Sequence, residues 1–108
     1  MEAHELQELL DRRAATGLPY LEFVRHPSLS VGLSVLPAGG VDGQRPHTED
    51  EVYHVIEGRA SMTVGDGVRD VGPGSVVFVG AGVPHRFHDI EVELRILVFF
   101  APAEGSLA

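Results

Sequence analysis

The chain begins with one amphipathic helical pattern. Between Ala3 and Ala14, leucines recur three and four residues apart, which predicts a helix with a single apolar stripe. Glutamates lie near its start and arginines near its end, an order that the helix dipole favours. Gly17 and Pro19 are typical of a helix end. We expect this segment, residues 1–18, to pack against the rest of the protein.

After Pro19 the pattern changes to short strands. From Leu29 to Val35, apolar residues alternate with serine and glycine, which is the period of a half-buried strand. Gly65-Asp66-Gly67 predicts a hairpin turn, and other clusters of glycine and proline interrupt the chain at short intervals. The pattern predicts about nine short strands, which indicate an all-β sandwich or barrel. We expect one such domain over residues 19–102, followed by a frayed tail at 103–108.

The last predicted strand is apolar on both faces. Leu94, Ile96 and Val98 lie on one side, whereas Leu97 and Phe99 lie on the other. A strand of this kind must be covered twice, by the core and by something outside it. The outer cover could be the N-terminal helix or a second subunit, so the sequence predicts a homodimer as a hypothesis.

Composition and charge exclude several classes of function. The 108 residues carry 16 acidic and 8 basic side chains, a formal charge of −8 that would repel nucleic acid or an anionic membrane. There is no cysteine, and all the basic residues are arginine, so thiolate nucleophiles, sulfur-bound metals and lysine Schiff bases are excluded. No apolar run reaches the roughly 20 residues of a membrane helix. We expect a cytoplasmic protein whose partner is a small molecule, with no nucleic-acid or membrane partner.

Two histidines and a glutamate are the candidate metal ligands. His47 precedes Glu51 by four residues, and His85 follows Pro84 at the start of its own predicted strand. Two imidazoles and one carboxylate form the ligand set of non-haem iron sites, and manganese, zinc, nickel or copper also accept it. By spacing alone, residues of this kind form a hydrogen-bonded structural group without a metal more often than they form a metal site.

The stretch that holds these residues resembles the paired motifs of the cupin superfamily. "PHTEDEVYHVIEGRA" is similar to the first motif, G-x5-H-x-H-x3-E-x6-G, and "GPGSVVFVGAGVPHRF" is similar to the second, G-x5-P-x-G-x2-H-x3-N. The resemblance covers about half of the chain and implies a jelly-roll β-barrel with a metal held inside it near one end. Carried over by position, His47, Glu51 and His85 match the second histidine, the glutamate and the late histidine of the family's ligand set.

One position departs from the family pattern in a way that affects chemistry. Arg45 stands where the family has its first histidine, and a guanidinium cannot ligate a metal. Three protein ligands with open positions are still the arrangement of a catalytic site. Alternatively, Arg45 could pair with Glu51 in a metal-free barrel, or bind a substrate carboxylate at the mouth of the site. Strand alternation places Tyr53 beside Glu51 and Phe87 beside His85, which makes both aromatic residues candidates for the pocket wall.

These observations leave three functions open. The first is a metal-dependent enzyme, such as a dioxygenase, isomerase or lyase, that acts on a small polar molecule at a divalent Fe, Mn, Zn or Ni centre. The second is a non-catalytic module that binds or senses a small ligand. The third is a metal-free structural dimer. A barrel fold alone does not choose among them, because jelly-roll barrels support many chemistries.

Overall fold

The computed structural model describes residues 1–108, which form one helix followed by six strands. They are α1 (Leu6–Thr16), β1 (Tyr20–His26), β2 (Leu29–Leu36), β3 (Asp50–Val64), β4 (Gly67–Val71), β5 (Val76–Val79) and β6 (His85–Ala101). The predicted all-β fold with a short N-terminal helix is confirmed. Helix α1 ends at Gly17, whose φ of 70° gives the left-handed cap that glycine favours. It is too short and too polar to cross a membrane.

All six strands belong to one antiparallel sheet that curls into a barrel. The strand order is β1-β2-β6-β3-β4, and β5 pairs with the first part of β3. Strands β3 and β6 are long, with 15 and 17 residues, and each joins two segments that the sequence pattern separates. The expected count of about nine strands was therefore too high.

Gly58 is the reason that β3 can bend without ending. Its φ is 102°, and a Cβ atom built on it would lie 2.3 Å from the backbone oxygen of Glu93 on β6. The pairing of β3 with β6 shifts register three times between Val55 and Ser61, which is the signature of β-bulges at a sharp bend. In the sequence this glycine resembles a turn signal, whereas in the fold it lets two backbones meet at a corner of the barrel.

Two apolar clusters lie on opposite sides of the sheet. The larger one fills the barrel and includes the fully buried side chains of Tyr53, Phe87 and Ile96. The smaller one is outside, where Leu9 of α1 packs with Leu33 and Val35, and Leu97 packs partly buried against them. The helix therefore covers part of the outer apolar face of β6. Of the two possible covers predicted from the sequence, the N-terminal helix and a second subunit, the helix is the one present in this structure.

The C-terminal segment is docked rather than frayed, contrary to expectation. Ala103 is buried, and the amide of Glu104 donates a hydrogen bond to the Ser30 hydroxyl at 2.9 Å. The buried carboxylate of Glu49 accepts hydrogen bonds from the amides of Gly105 and Leu107, at 2.7 and 3.1 Å. Burial alone would raise the pKa of Glu49, but hydrogen bonds from Thr48 and from these amides outweigh it and lower the pKa below its usual value. A buried carboxylate thus fixes the chain end to the barrel.

Candidate metal centre

Three separate parts of the fold bring the predicted ligands together. His47 lies in the loop before β3, Glu51 is the second residue of β3, and His85 is the first residue of β6. The loop before β6 is tied to the start of β3, because the amide of Gly82 donates to the carbonyl of His47 at 2.7 Å. The neighbouring amide of Ala81 donates to the Asp50 carboxylate at 2.9 Å. These two hydrogen bonds hold the start of β6, and with it His85, close to His47 and Glu51.

The three side chains converge on one carboxylate oxygen. Glu51 Oε1 lies 3.2 Å from His47 Nδ1 and 2.9 Å from His85 Nε2. One ligand atom from each residue falls within 4.8 Å of the others. Glu51 and His85 are buried, with exposures of 2% and 6%, and His47 is partly buried. The cluster thus has the size and donor types of a divalent metal site.

Two buried atoms of the cluster lack hydrogen-bond partners. They are Glu51 Oε2 and His85 Nε2, whose close approach to Glu51 does not have the geometry of a hydrogen bond. The other ring nitrogen, His85 Nδ1, donates to the carbonyl of Val83 at 2.9 Å, so a neutral ring directs the lone pair of Nε2 at Glu51. A lone pair facing a carboxylate is repulsive, and burying such atoms unpaired costs free energy. A cation between them removes both problems, so these residues fit a metal ion.

Without a metal, only a proton can relieve this repulsion. Burial disfavours the charged ring of His85, but the adjacent Glu51 carboxylate and the Val83 carbonyl outweigh burial and raise the pKa of His85 above its usual value. A metal and a proton therefore compete for the same nitrogen.

Arg45 does not join the cluster. Its side chain is exposed, and it forms no ion pair with Glu51. Histidines, rather than the guanidinium, surround that carboxylate. The ion pair considered for a metal-free barrel is thus not formed in this structure.

The two predicted wall aromatics lie in the core beside the cluster. Tyr53 and Phe87 pack edge to face with ring centroids 5.2 Å apart, and Tyr53 and His85 rings are 5.8 Å apart. The Tyr53 hydroxyl donates to Gln44 Oε1 at 2.8 Å, and burial raises the pKa of Tyr53. The substrate-binding roles of Arg45, Tyr53 and Phe87 stay predictions.

A cavity of about 450 Å³ adjoins the cluster at His47. Apolar side chains make part of its wall, including Leu36, Val98 and Phe100, and its ionisable groups are His47, Asp42, Tyr20 and Glu104. No arginine lines it. The cavity wall therefore combines apolar side chains with two carboxylates and no guanidinium.

Sequence reasoning missed two residues of this cavity, Tyr20 and Glu104. The Tyr20 ring lies over Gly32, where a Cβ would be 2.1 Å from the ring, and its buried hydroxyl has no partner. A glycine inside an alternating strand is a signal of such close approach. Glu104 Oε2 lies 3.0 Å from His47 Nε2. No pattern in the sequence marks this glutamate, because its position depends on how the chain end docks.

Comparison with known proteins identifies the family of this chain. The cupin domain family matches residues 32–100, and the chain belongs to that family. An uncharacterized protein of Streptomyces coelicolor is 52% identical over 97% of this chain and the whole of its own length. Among solved structures, TT1209 from Thermus thermophilus has a TM-score of 0.74 at 25% identity, over 95% of this chain and 99% of the other. The DMSP lyase DddQ from Ruegeria pomeroyi has a TM-score of 0.66 at 28% identity, over 70% of this chain but only 39% of its own.

Proposed function

We propose that the protein is a small metal-dependent enzyme that holds one divalent ion with His47, Glu51 and His85. The observation that carries the proposal is the convergence of these three side chains with two buried polar atoms left unpaired. The likeness to the DMSP lyase DddQ supports an enzyme over a purely structural barrel.

The residues of this chain have separable tasks in that proposal. Glu51 supplies the negative charge, and the Val83 carbonyl holds the ring of His85 in the tautomer whose Nε2 is free. Three protein ligands leave coordination positions open, and a divalent ion bound there supplies Lewis-acid polarisation of a substrate oxygen. Phe100 makes part of the apolar wall of the adjoining cavity, and its ring packs against the His47 ring with centroids 4.7 Å apart.

The cavity wall also indicates the class of substrate. Its ionisable side chains include two carboxylates, Asp42 and Glu104, and no arginine. Asp42 is already satisfied by the amide of Phe87 at 2.9 Å and by the side chain of Gln44 at 3.0 Å. Glu104 Oε2 already lies 3.0 Å from His47 Nε2. The hydroxyl of Tyr20, which has no partner, remains to meet a ligand. We therefore expect a small uncharged or cationic molecule with an apolar part, rather than an anion.

Metal titration followed by a turnover assay tests this proposal. Metal-free protein should bind one equivalent of Mn²⁺, Zn²⁺, Ni²⁺ or Fe²⁺ by calorimetry. The loaded protein, incubated with a mixture of small uncharged and cationic metabolites, should deplete at least one of them catalytically, as measured by mass spectrometry. Glu51→Gln should stop the depletion. Stoichiometric retention without turnover would instead establish a binding module, and a lack of metal binding would overturn the proposal.

The pH dependence of metal binding follows from His85. Its raised pKa means that protons compete already above pH 6.5, the usual value for histidine. We expect the apparent affinity to fall about tenfold per pH unit for each proton displaced, once the pH drops below this raised pKa. In the metal-free protein, the stability of the fold depends on pH in the opposite direction to the metal affinity. There, pairing of protonated His85 with Glu51 stabilises the fold fully below pH 6.5, and this contribution is lost as the pH rises through the folded pKa. Calorimetric titrations and thermal melts across pH 5–9 measure both trends, and a pH-independent affinity would contradict the role of His85.

We also propose that the protein forms a homodimer through the outer face of the barrel. Val76 and Phe78 on β5 are 65% and 63% exposed, and a shallow groove beside them is lined by Leu29, Val52 and Phe99. Helix α1 packs elsewhere on the sheet, so this apolar area stays open in the single chain. Sedimentation at micromolar concentration should give a dimer, and Phe78→Glu should give a monomer. A monomeric wild-type protein would contradict the proposal.

A further inference from the structure

A second cluster of polar side chains lies on the outer face of the sheet. The Thr63 hydroxyl on β3 lies 2.8 Å from His88 Nε2, and His88 Nδ1 lies 2.7 Å from Asp89 Oδ2 on β6. Strand alternation turns Thr63 and His88 away from the barrel interior, where their neighbours Met62 and Phe87 are buried. The cluster is therefore separate from the metal centre, which lies inside the barrel.

The two partners of the His88 ring fix where its hydrogen lies. An ionised carboxylate only accepts hydrogen bonds, so Asp89, whose side chain is 78% exposed, accepts from Nδ1–H. Nε2 of the neutral ring then carries the lone pair, and the Thr63 hydroxyl donates to it. Hydroxyl, imidazole and carboxylate thus stand in the order that activates a nucleophile, in which the imidazole takes the proton and the carboxylate orients the imidazole.

Asp89 has an unusual backbone conformation for a residue with a side chain. Its φ is 49°, and every other residue with a positive φ is glycine. Asparagine and aspartate are the residues that adopt this conformation most readily after glycine. The second cupin motif has asparagine at this position, so the backbone does not require a carboxylate. The negative charge that stabilises a protonated His88 is thus a departure of this chain from the family pattern.

A guanidinium and two cavities lie beside the hydroxyl. Arg86 is the Cα partner of Thr63 in the pairing of β3 with β6, so both side chains stand on the same face of the sheet. Both residues line a cavity of about 270 Å³, and a second cavity of about 380 Å³ adjoins Arg86 on the side of His88 and Asp89. An exposed guanidinium next to the hydroxyl is suited to the negative charge that develops on a carbonyl oxygen under attack.

We propose that Thr63, His88 and Asp89 form a second site, which transfers the acyl group of a small activated ester or thioester first to Thr63 and then to water. Thr63 Oγ attacks the carbonyl carbon while His88 Nε2 takes its proton. The bond to the leaving group breaks, and that group departs with the proton from His88. Water, deprotonated in turn by His88, attacks the acyl-threonine, which releases a carboxylic acid and returns the proton to Thr63.

Hydrolysis of p-nitrophenyl acetate by the full chain in the presence of EDTA tests the proposal. The chelator removes any contribution of a bound metal. Mass spectrometry after acid quenching should find an acetyl group on the peptide that contains Thr63. Thr63→Val keeps the shape of the side chain and removes the hydroxyl, so it should abolish both the acetylated peptide and the hydrolysis. Thr63→Ser should retain both.

Variants of the other two residues measure their contributions. His88→Ala should lower the rate by about 100-fold or more, because general-base catalysis contributes about 10²–10⁴-fold. Asp89→Asn suits the same backbone and should also lower the rate, because it removes the charge that stabilises the protonated ring. His26→Ala is the matched control. His26 Nε2 also lies 2.8 Å from a carboxylate, that of Glu2, but its ring contacts no hydroxyl, so this variant should hydrolyse the ester as the wild type does.

Three results would overturn the proposal, provided that circular dichroism shows the variants folded. A rate that is unchanged in Thr63→Val and lost in His88→Ala would show the imidazole reacting with the ester directly. Equal rates in all variants would show a hydrogen-bonded group with a structural role only. A wild-type protein no faster than free imidazole at the same concentration would exclude the site as well. None of these results bears on the metal centre, because the assay contains the chelator throughout.

Discussion

Loss of any one of the three converging side chains is expected to abolish retention of the metal ion. Glu51→Gln removes the only negative charge that both histidines contact, and His47→Ala or His85→Ala leaves only two protein ligands. Loss of a hydrogen-bond partner of a metal ligand typically lowers metal affinity by up to about 100-fold. Each of these changes should lower the affinity further, because it removes a direct ligand. Calorimetry with Mn²⁺ or Zn²⁺ and elemental analysis of the purified variants measure the effect.

His54 provides the control for these variants. It lies on β3 near Glu51, but strand alternation turns it to the other face of the sheet, where it is partly exposed. His54→Ala should therefore retain the metal, and circular dichroism should show all four variants folded. Equal loss of metal from His54→Ala and from the other three would contradict the assignment of the site.

Gly58→Ala is expected to have the largest effect on stability. The new Cβ would lie 2.3 Å from the oxygen of Glu93 and 2.7 Å from Cα of Leu94, and both atoms belong to the backbone of a paired strand. The positive φ of 102° adds strain for any residue with a side chain. The free energy of unfolding should fall by about 4 kcal/mol or more, which is a large part of the stability of a domain of this size.

Urea denaturation of metal-free protein measures this effect. Gly43→Ala is a suitable control, because a Cβ there meets no atom within 4 Å and the backbone is not in the left-handed region. Its free energy of unfolding should stay within about 0.5 kcal/mol of the wild type. A Gly58→Ala protein as stable as Gly43→Ala would show that β3 does not bend against Glu93.

The fold was largely predictable because the local pattern and the tertiary structure agree. Alternation in residues 29–35 predicts a strand, and β2 covers it. The merging of predicted strands was not predictable in the same way. Gly58 looks like a break in the sequence, and only the approach of Glu93, 35 residues later, shows why a glycine is needed inside a continuous strand.

The site was predictable only in part, for a similar physical reason. His47, Glu51 and His85 lie in motifs, so their convergence could be expected from the family resemblance, whereas spacing alone favoured a hydrogen-bonded structural group over a metal site. Glu104 lies beside His47 because the chain end docks on the barrel. The hydrogen bonds that dock it join Glu49 to Gly105 and Ser30 to Glu104, which are 56 and 74 positions apart in the chain. No local pattern encodes such contacts. The motif position of Arg45 left open an ion pair with Glu51 or a role at the mouth of the site. Its side chain is exposed and pairs with no carboxylate of the cluster, so the ion pair is absent and the substrate-binding role stays a prediction.

A crystal structure of the protein soaked with Mn²⁺ or Zn²⁺, with anomalous data collected at the absorption edge of the metal, tests the central claim most directly. The account predicts one strong anomalous peak inside the barrel, at about 2.0–2.2 Å from a nitrogen of His47, a nitrogen of His85 and an oxygen of Glu51. Density that shows the three side chains in contact with one another, with no anomalous peak between them, would contradict it.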